Sequence, residues 1–510
     1  MNTMRRASVC RRPALAGFAF LLLIIATQVS AAPPDDYLPV FGGPTFSPAA
    51  GGYQGQFSTN RSVNNNGVAI GGPNRVGPDP FLEFFGSRAV RWDSSGNPAV
   101  ELNHLGTGLG EVTFSTPTAI NDSGVVVGTA DRYSGRTLAY AGTSAVRWEG
   151  PGTEATPLGG LGGNSAGISF SYPTDINAAG TAVGYAEKFD VTGSAIGYRP
   201  IRWDAGSSAA TELETFGADA FGSTFGYAGA INDAGTAVGY SDKYSPTGIY
   251  QGTRAVRWHA GGNAASELPT LSSASNLSAD YALAINSSGA AVGYSYEVDS
   301  NGFFLSIHPV RWSADGMTVT ALDRLGLGGD FDFAYALDIN DAGDAIGLSY
   351  VTDGQGNPTA LQGLRWDGSG TEVTALQGLA TFGQSSSASR INAAGIAVGT
   401  VGFFDQSIFN VVPDGAVYWG DDGVPVDLNT LIDPLSGWYL LSASAISDSG
   451  WITGYGQFDP DGFGGQPAYD RLFLMHVPAT AVPEPGTFLL VFAGVGGLMT
   501  WGGRRQRSVK

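Results

Sequence analysis

Cysteine occurs once in this 510-residue chain, at Cys10, so nothing beyond the first few residues carries a thiol. That excludes disulfides and thiolate metal sites from the body of the protein. Cys10 also precedes the nearest apolar stretch, whereas a lipid anchor would need it to follow. Charge is scarce as well, at 14% of residues, and a helical period is missing from the body. The four histidines, His104, His259, His308 and His476, are scattered without metal-ligand spacing. Long apolar runs occur only at the two ends.

Glycine is plentiful, with 76 residues, and 43% of the chain is hydrophobic. A core is therefore available, and disorder throughout is excluded. Glycine, small polar residues and few charges predict short strands joined by tight turns. The formal net charge is −19, but eight of the 26 basic residues sit in the terminal segments with only one acid, Glu484. The body between them carries 18 basic and 44 acidic residues. Such a surface repels nucleic acid and anionic lipid, so no nucleic-acid partner is expected.

Residues 1–31 read as a secretory signal. Arg5, Arg6, Arg11 and Arg12 lead into the apolar stretch Ala14 to Ala26, and small residues follow, with Ala31 the expected last residue removed by signal peptidase. An uncleaved anchor is the alternative, but 13 apolar residues span only about 20 Å as a helix. Residues 481–510 have their own logic. Val482-Pro483-Glu484-Pro485 is followed by an apolar run from Phe488 to Trp501, then by Arg504, Arg505 and Arg507. This predicts a short membrane helix with a basic stop on the cytoplasmic side.

Between these ends, residues 32–480 resolve into eight copies of one unit. Its first signature is Ile-Asn-x-x-Gly followed by a Val-Gly strand, at Asn121, Asn177, Asn232, Asn286, Asn340 and Asn392, with looser copies at Asn64 and Ser447. Successive positions are 57, 56, 55, 54, 54, 52 and 55 residues apart. A second signature, Ala-Val-Arg-Trp or a relative, places Trp92, Trp148, Trp203, Trp258, Trp312, Trp366 and Trp419, with Phe473 expected in the eighth copy. A third, Leu-x-x-Leu, follows, as in Leu158 with Leu161.

Asn-x-x-Gly between apolar runs is a hairpin turn, because Asn bonds the backbone ahead of it and Gly accepts positive φ. The repeated strand glycines Gly128, Gly184, Gly239 and Gly293 predict close approach by a neighbouring backbone or ring. With the Leu-x-x-Leu segment read as a strand, each unit offers about four strands. The expected fold is all-β: a β-propeller of eight four-stranded blades, with an open solenoid as the alternative. The eighth copy lacks a last strand, and Leu38-Pro39-Val40-Phe41-Gly42-Gly43 resembles Leu158-Gly159-Gly160-Leu161-Gly162-Gly163. A strand from the start of the chain is thus predicted to close the ring.

The tail from Val482 to Arg507 resembles the PEP-CTERM sorting domain, whose motif, helix and terminal arginines occur here in order. That resemblance implies a Gram-negative bacterium that makes exopolysaccharide, and cleavage by a membrane-embedded exosortase. The span from 38 to 477 is similar to the HAF-repeat family of bacterial extracellular proteins, although Arg-Ala-Val (Arg88, Arg254), Ser-Ala-Val (Ser144) or His-Pro-Val (His308) stands in place of His-Ala-Phe. It implies an extracellular location and no established activity.

No catalytic constellation emerges. Gly163-Asn164-Ser165-Ala166-Gly167 matches a nucleophile elbow, but that elbow needs a strand-to-helix turn, and the segment belongs to the repeat. Glu297, Asp299 and Asn301 form a partial calcium loop, with a polar turn as the bland alternative. The arginines before Trp, namely Arg91, Arg147, Arg202, Arg257, Arg311 and Arg365, would form a ring in a propeller. Such a ring could hold an anionic polysaccharide, or each arginine could pair with a nearby acid or cover apolar surface. The expectation is a non-enzymatic surface or matrix protein acting as a platform for exopolysaccharide, without an obligatory cofactor. The alternative is an extracellular glycan-active hydrolase or lyase on the same scaffold.

Overall fold

The computed structural model describes residues 40–42, 53–54, 63–76, 84–135, 137–271, 278–299, 304–326, 333–353, 355, 357–379, 385–461 and 468–478. The signal with Ala31 and the tail from Val482 to Arg507 lie outside these residues, as does Asn301. Among the described residues no helix is long and apolar enough to cross a membrane.

The described chain is all-β, and its strands form antiparallel sheets, the blades of a propeller; most units make a four-stranded sheet, whereas the strands around Asn64 fall into two three-stranded ones. In the unit of Asn177 the strands are Ser169–Ile176, Ala182–Phe189, Ala195–Trp203 and Ala210–Glu212, in that order across the sheet. First strands touch the first strands of neighbouring units and so line the inner wall. The units of Asn121 and Asn177 are joined into one larger sheet by a short parallel pairing of Gly142 and Thr143 with Ser169 and Phe170.

The turn between first and second strands is built by its asparagine. Asn177 Oδ1 accepts from the Thr181 N–H at 2.9 Å, while Gly180, at φ +87°, donates its N–H to the Asn177 carbonyl. The second-strand glycine is required by close approach: a Cβ on Gly184 would stand 2.0 Å from the Tyr172 carbonyl oxygen of the first strand.

The same asparagine reaches the next unit. Asn64 Nδ2 donates to the Asn121 carbonyl, Asn121 to Asn177, Asn177 to Asn232, Asn232 to Asn286, Asn286 to Asn340, Asn340 to Asn392, and Asn392 to Ser447. At the far end Ser449 Oγ donates to the Asn65 carbonyl at 2.8 Å, and its N–H donates to Asn65 Oδ1. The bonds form an unbroken belt that returns to its start.

The residue after each belt position alternates. Asp122, Asp233, Asp341 and Asp448 each accept, through Oδ1, the N–H of the corresponding residue in the preceding unit, namely Asn65, Ala178, Ser287 and Ala393. The intervening units carry no aspartate there.

Apolar packing crosses the same boundaries. Trp203 is buried with Leu158, Val127 and Ala145 of the preceding unit, and its indole N–H donates to the Gly159 carbonyl at 2.8 Å. Trp148, Trp258, Trp312, Trp366 and Trp419 repeat this bond to Asn103, Glu214, Pro269, Asp323 and Gln377. At about 25 cal/mol per Å2 and 150–250 Å2 per aromatic side chain, each tryptophan contributes roughly 4–6 kcal/mol of burial before entropy.

Val40–Gly42 pairs antiparallel with the third strand of the last unit, Tyr469–His476, and completes its sheet. Three details differ from expectation. Val40 faces Met475 as Ala155 faces Trp148, so the register does not follow the match of Leu38 to Leu158. Met475, opposite Ile452, holds the tryptophan place, and Phe473 falls two residues earlier, opposite Gly454. The fourth strand lies just before the Leu-x-x-Leu segment: Ala155–Pro157 is the strand, and Leu158 follows as a buried anchor whose N–H bonds the Ala145 carbonyl. Backbone pairing sets register, and it overrides local likeness.

Asn232→Ala removes the bond to the Asn286 carbonyl and leaves the Thr236 N–H without its side-chain acceptor. The expected loss is about 3 kcal/mol in denaturant unfolding. Asn164 builds the same kind of turn with only local partners, Ala166 and Ile168, so Asn164→Ala should cost about 1 kcal/mol. Equal losses would refute the belt as a joint between units.

Candidate functional site

The six arginines before tryptophan lie at the boundaries between units, with their guanidinium groups on main-chain carbonyls. Arg257 donates to Ala314 at 2.7 Å and to Gly289 at 2.6 Å, Gly289 being the turn glycine of the next unit. Arg147 bonds Ser207 and Gly180 in the same way, and Arg311 bonds Gly368, Gly370 and Asp367. Arg91 reaches Gly150 and Pro151, while Arg202 bonds Gly262 and pairs with Asp204 at 2.7 Å. Arg365 bonds Gly395 and pairs with Asp344 and Asp421. Burial pulls the Arg147, Arg257, Arg311 and Arg91 guanidinium groups below their ordinary values. In this geometry the arginines are joints between units, with main-chain carbonyls as partners that the sequence did not reveal.

Three further arginines are buried, two of them, Arg88 and Arg254, known from the sequence only as replacements in the repeat signature. Arg88, Arg199 and Arg254 face Glu101, Glu212 and Glu267 through Nε at 3.3, 3.7 and 3.2 Å. Arg199 also donates to the Thr224 and Gly222 carbonyls.

The other sequence candidates separate. Glu297 accepts from Ser306 Oγ and meets His308 Nε2, both at 2.8 Å, while Asp299 lies just beyond the strand end and Asn301 outside the described residues. Among the described residues no three His, Cys, Asp or Glu side chains gather to hold a metal. The segment around Ser165 is a tight turn, with Asn164 Oδ1 accepting from the Ala166 and Ile168 N–H groups. No helix follows to make an elbow.

The units differ along their first and second strands. From the unit of Asn177 to that of Asn340, rings touch in succession: Tyr172 with Tyr185, Tyr185 with Tyr227, Tyr227 with Tyr240, Tyr240 with Tyr281, Tyr281 with Tyr294, and Tyr294 with Tyr335. Centroids lie 4.7–5.1 Å apart. Burial pushes the Tyr281 and Tyr335 hydroxyls up to about 12. In the next two units Ser387, Thr400 and Ser442 occupy the corresponding places, and there a cavity of about 500 Å3 opens, lined also by Arg390, Ser389, Ser444 and Tyr455.

Nearer the belt, equivalent inner positions carry Asp175, Asp338 and Arg390, with alanine at Ala119, Ala230, Ala284 and Ala445. Asp175 accepts from the Ile176 and Ile231 N–H groups, and Asp338 from Ile391. Desolvation pushes Asp175 up to about 6, with those N–H groups and Arg390 opposing; desolvation raises Asp338 too.

At the opposite ends of the strands, away from the belt, Phe84, Phe114, Tyr140, Tyr250 and Phe304 are 41–45% exposed. Phe114 meets Phe84 at 5.9 Å, and Phe304 meets Phe333 at 5.5 Å.

No protein-family model matches the chain, and no curated protein matches it. Among solved structures it is similar to the β-propeller domain of the Trilobed protease from Pyrococcus furiosus, at 11% identity and a TM-score of 0.41, covering 77% of this chain and 99% of that one. The Dos1 propeller aligns at 11% identity and 0.38, covering 86% and 95%. The polysaccharide lyase Uly1 aligns at 8% and 0.38, covering 86% and 97%. At this distance the likeness carries no functional argument, and the blade architecture rests on the sheets themselves.

Arg257→Ala removes a buried cation and leaves the Gly289 and Ala314 carbonyls without it, an expected loss of about 3 kcal/mol in chemical unfolding. A loss under about 0.5 kcal/mol, the scale of a neutral surface change, would refute the joint. Asp175 gives a pH test. Its folded pKa near 6 is above the unfolded value of about 4, so its contribution to stability is full below pH 4 and is lost as pH rises through 6. Relative to Asp175→Asn, the melting temperature of the native chain should fall across that window and level off above it. A constant difference would refute the desolvated site.

Proposed function

We propose that this chain is an exported, non-enzymatic platform for polysaccharide at the surface or in the extracellular matrix of a Gram-negative bacterium. In this reading signal peptidase removes residues 1–31, the tail from 481 holds the chain briefly in the inner membrane, and an exosortase cuts at the Val482-Pro483-Glu484-Pro485 motif. We further propose that the blades number eight, closed by the N-terminal strand, and that no metal or organic cofactor is needed.

One observation carries the binding role. The recurring asparagines and arginines are occupied within the scaffold, whereas half-exposed aromatic rings gather at the strand ends away from the belt. Aromatic surface with hydroxyls and carboxylates beside it suits sugars, which offer C–H faces and hydroxyl edges. The enzymatic alternative has Asp175 and Asp338 as its support, but both carboxylates already accept main-chain N–H groups.

The test is fractionation of an exopolysaccharide-producing Gram-negative host that expresses the full chain or a version ending at residue 480. The full chain should lose its tail, enter the surface fraction and be released when the polysaccharide is digested; the shortened one should skip the membrane-held stage and show the same release. Retention of the full chain in the cytoplasm would overturn export, and indifference to digestion would overturn the polysaccharide role.

A further inference from the structure

One side-chain cluster occurs twice, in units separated by one other. In the unit of Asn121, Tyr133 closes the second strand and Tyr140 opens the third, their rings meeting edge-on at 6.1 Å. The Tyr140 hydroxyl lies 2.8 Å from Thr143 Oγ1, which donates to Asp131 Oδ1 at 2.8 Å. In the unit of Asn232, Tyr244 and Tyr250 meet at 5.6 Å, the Tyr250 hydroxyl lies 3.0 Å from Thr253 Oγ1, and Thr253 donates to Asp242 Oδ1 at 3.0 Å.

The scaffold does not demand this cluster. The unit between them has Ala195, Tyr198 and Glu187 at the corresponding places, and the unit of Asn286 has Phe304, Ile307 and Tyr296. Each copy also has an exposed apolar tip beside it from the preceding unit. Leu109, 76% exposed, follows Gly108, which lies so close to the Tyr133 ring that a Cβ would stand 2.7 Å from it. Phe221, 87% exposed, follows Ala220, which abuts Gly248 in the hairpin before Tyr250. Between the copies the aromatic surface continues, Tyr140 meeting Phe170 at 6.4 Å and Tyr198 meeting Phe225 at 5.9 Å.

The chemistry selects a ligand. Tyr140 and Tyr250, each 45% exposed, offer a flat face for the C–H side of a pyranose ring. Their hydroxyls are held by threonine, and the aspartates behind add acceptors for sugar hydroxyls. Among the described residues, Lys243 pairs with Glu267 at 2.6 Å, and Arg132 donates to Ser169 Oγ and the Ala141 carbonyl. The Asp131 and Asp242 carboxylates stand behind the rings, so a polyanion would meet like charge there. Two copies at fixed separation match a ligand that itself repeats, with the second contact made at high effective concentration.

We propose that the two clusters are equivalent subsites for one strand of an uncharged, hydroxyl-rich polysaccharide. This rests on the platform role proposed above and names its ligand class. The experiment is affinity electrophoresis of the purified full chain through gels containing hydroxyethyl cellulose as neutral glucan, galactomannan as a second neutral polymer, alginate as polyanion, or chitosan as polycation.

A neutral gel should retard the chain, and 0.5 M salt should leave the retardation unchanged. Tyr140→Ala and Tyr250→Ala should each weaken it about tenfold, and the double variant should abolish it with the melting temperature held. Retardation only by alginate or chitosan, lost in salt, would overturn the ligand class while leaving the platform role standing. Neutral retardation unchanged in the double variant would overturn the site. Retardation by none of the four would overturn both proposals.

Discussion

An asparagine side chain has a carbonyl and an amide on one short stem, and in this protein the two ends serve different units. In Asn232 the oxygen caps its own turn at the Thr236 N–H, and the nitrogen reaches the Asn286 carbonyl in the unit that follows. Aspartate could do the first task but not the second, since an ionised carboxylate has no donor. The turn and the joint are therefore one structure. Ser447, in the last unit, caps its turn through Oγ, but the connection onward to Asn65 passes to Ser449. The ring is thus sealed at its seam by different atoms from those used elsewhere.

Tryptophan and arginine reinforce the same boundaries from the third strand. Every cluster around a buried tryptophan borrows residues from a neighbour, as Trp258 does from Val183 and Leu213. A unit alone would leave both its indole and its guanidinium without partners, so stability belongs to the boundaries as much as to the blades. This explains why the repeating letters are polar as well as apolar.

The fold was legible because those letters recur at a nearly constant interval and each has a local meaning: Asn-x-x-Gly for the turn, glycine for close strand approach, tryptophan for the core. What stayed hidden involves main-chain atoms. A carbonyl has no letter of its own, so the partners of Arg147 and Arg257 could not be read, and acids were the natural guess. Register is likewise a property of the backbone, which is why Met475 rather than Phe473 stands in the tryptophan place. The tyrosine succession from Tyr172 to Tyr335 was present in plain view. Without the ring to bring Tyr185 against Tyr227, it looked like strand composition. The paired clusters at Tyr140 and Tyr250 were harder still, because they emerge only when units two apart are compared.

The alternating aspartates Asp122, Asp233, Asp341 and Asp448 give the ring a grammar of doublets. Each aspartate needs a neighbour on its upstream side whose N–H is unclaimed, and each unit without one needs a neighbour that has it. Loss or gain of a single unit would place two donors or two recipients side by side. Loss or gain of a pair would leave every junction as it is. The natural module for duplication, deletion or engineered resizing of this protein is therefore two blades, about 110 residues, rather than the single repeat that the eye picks out first.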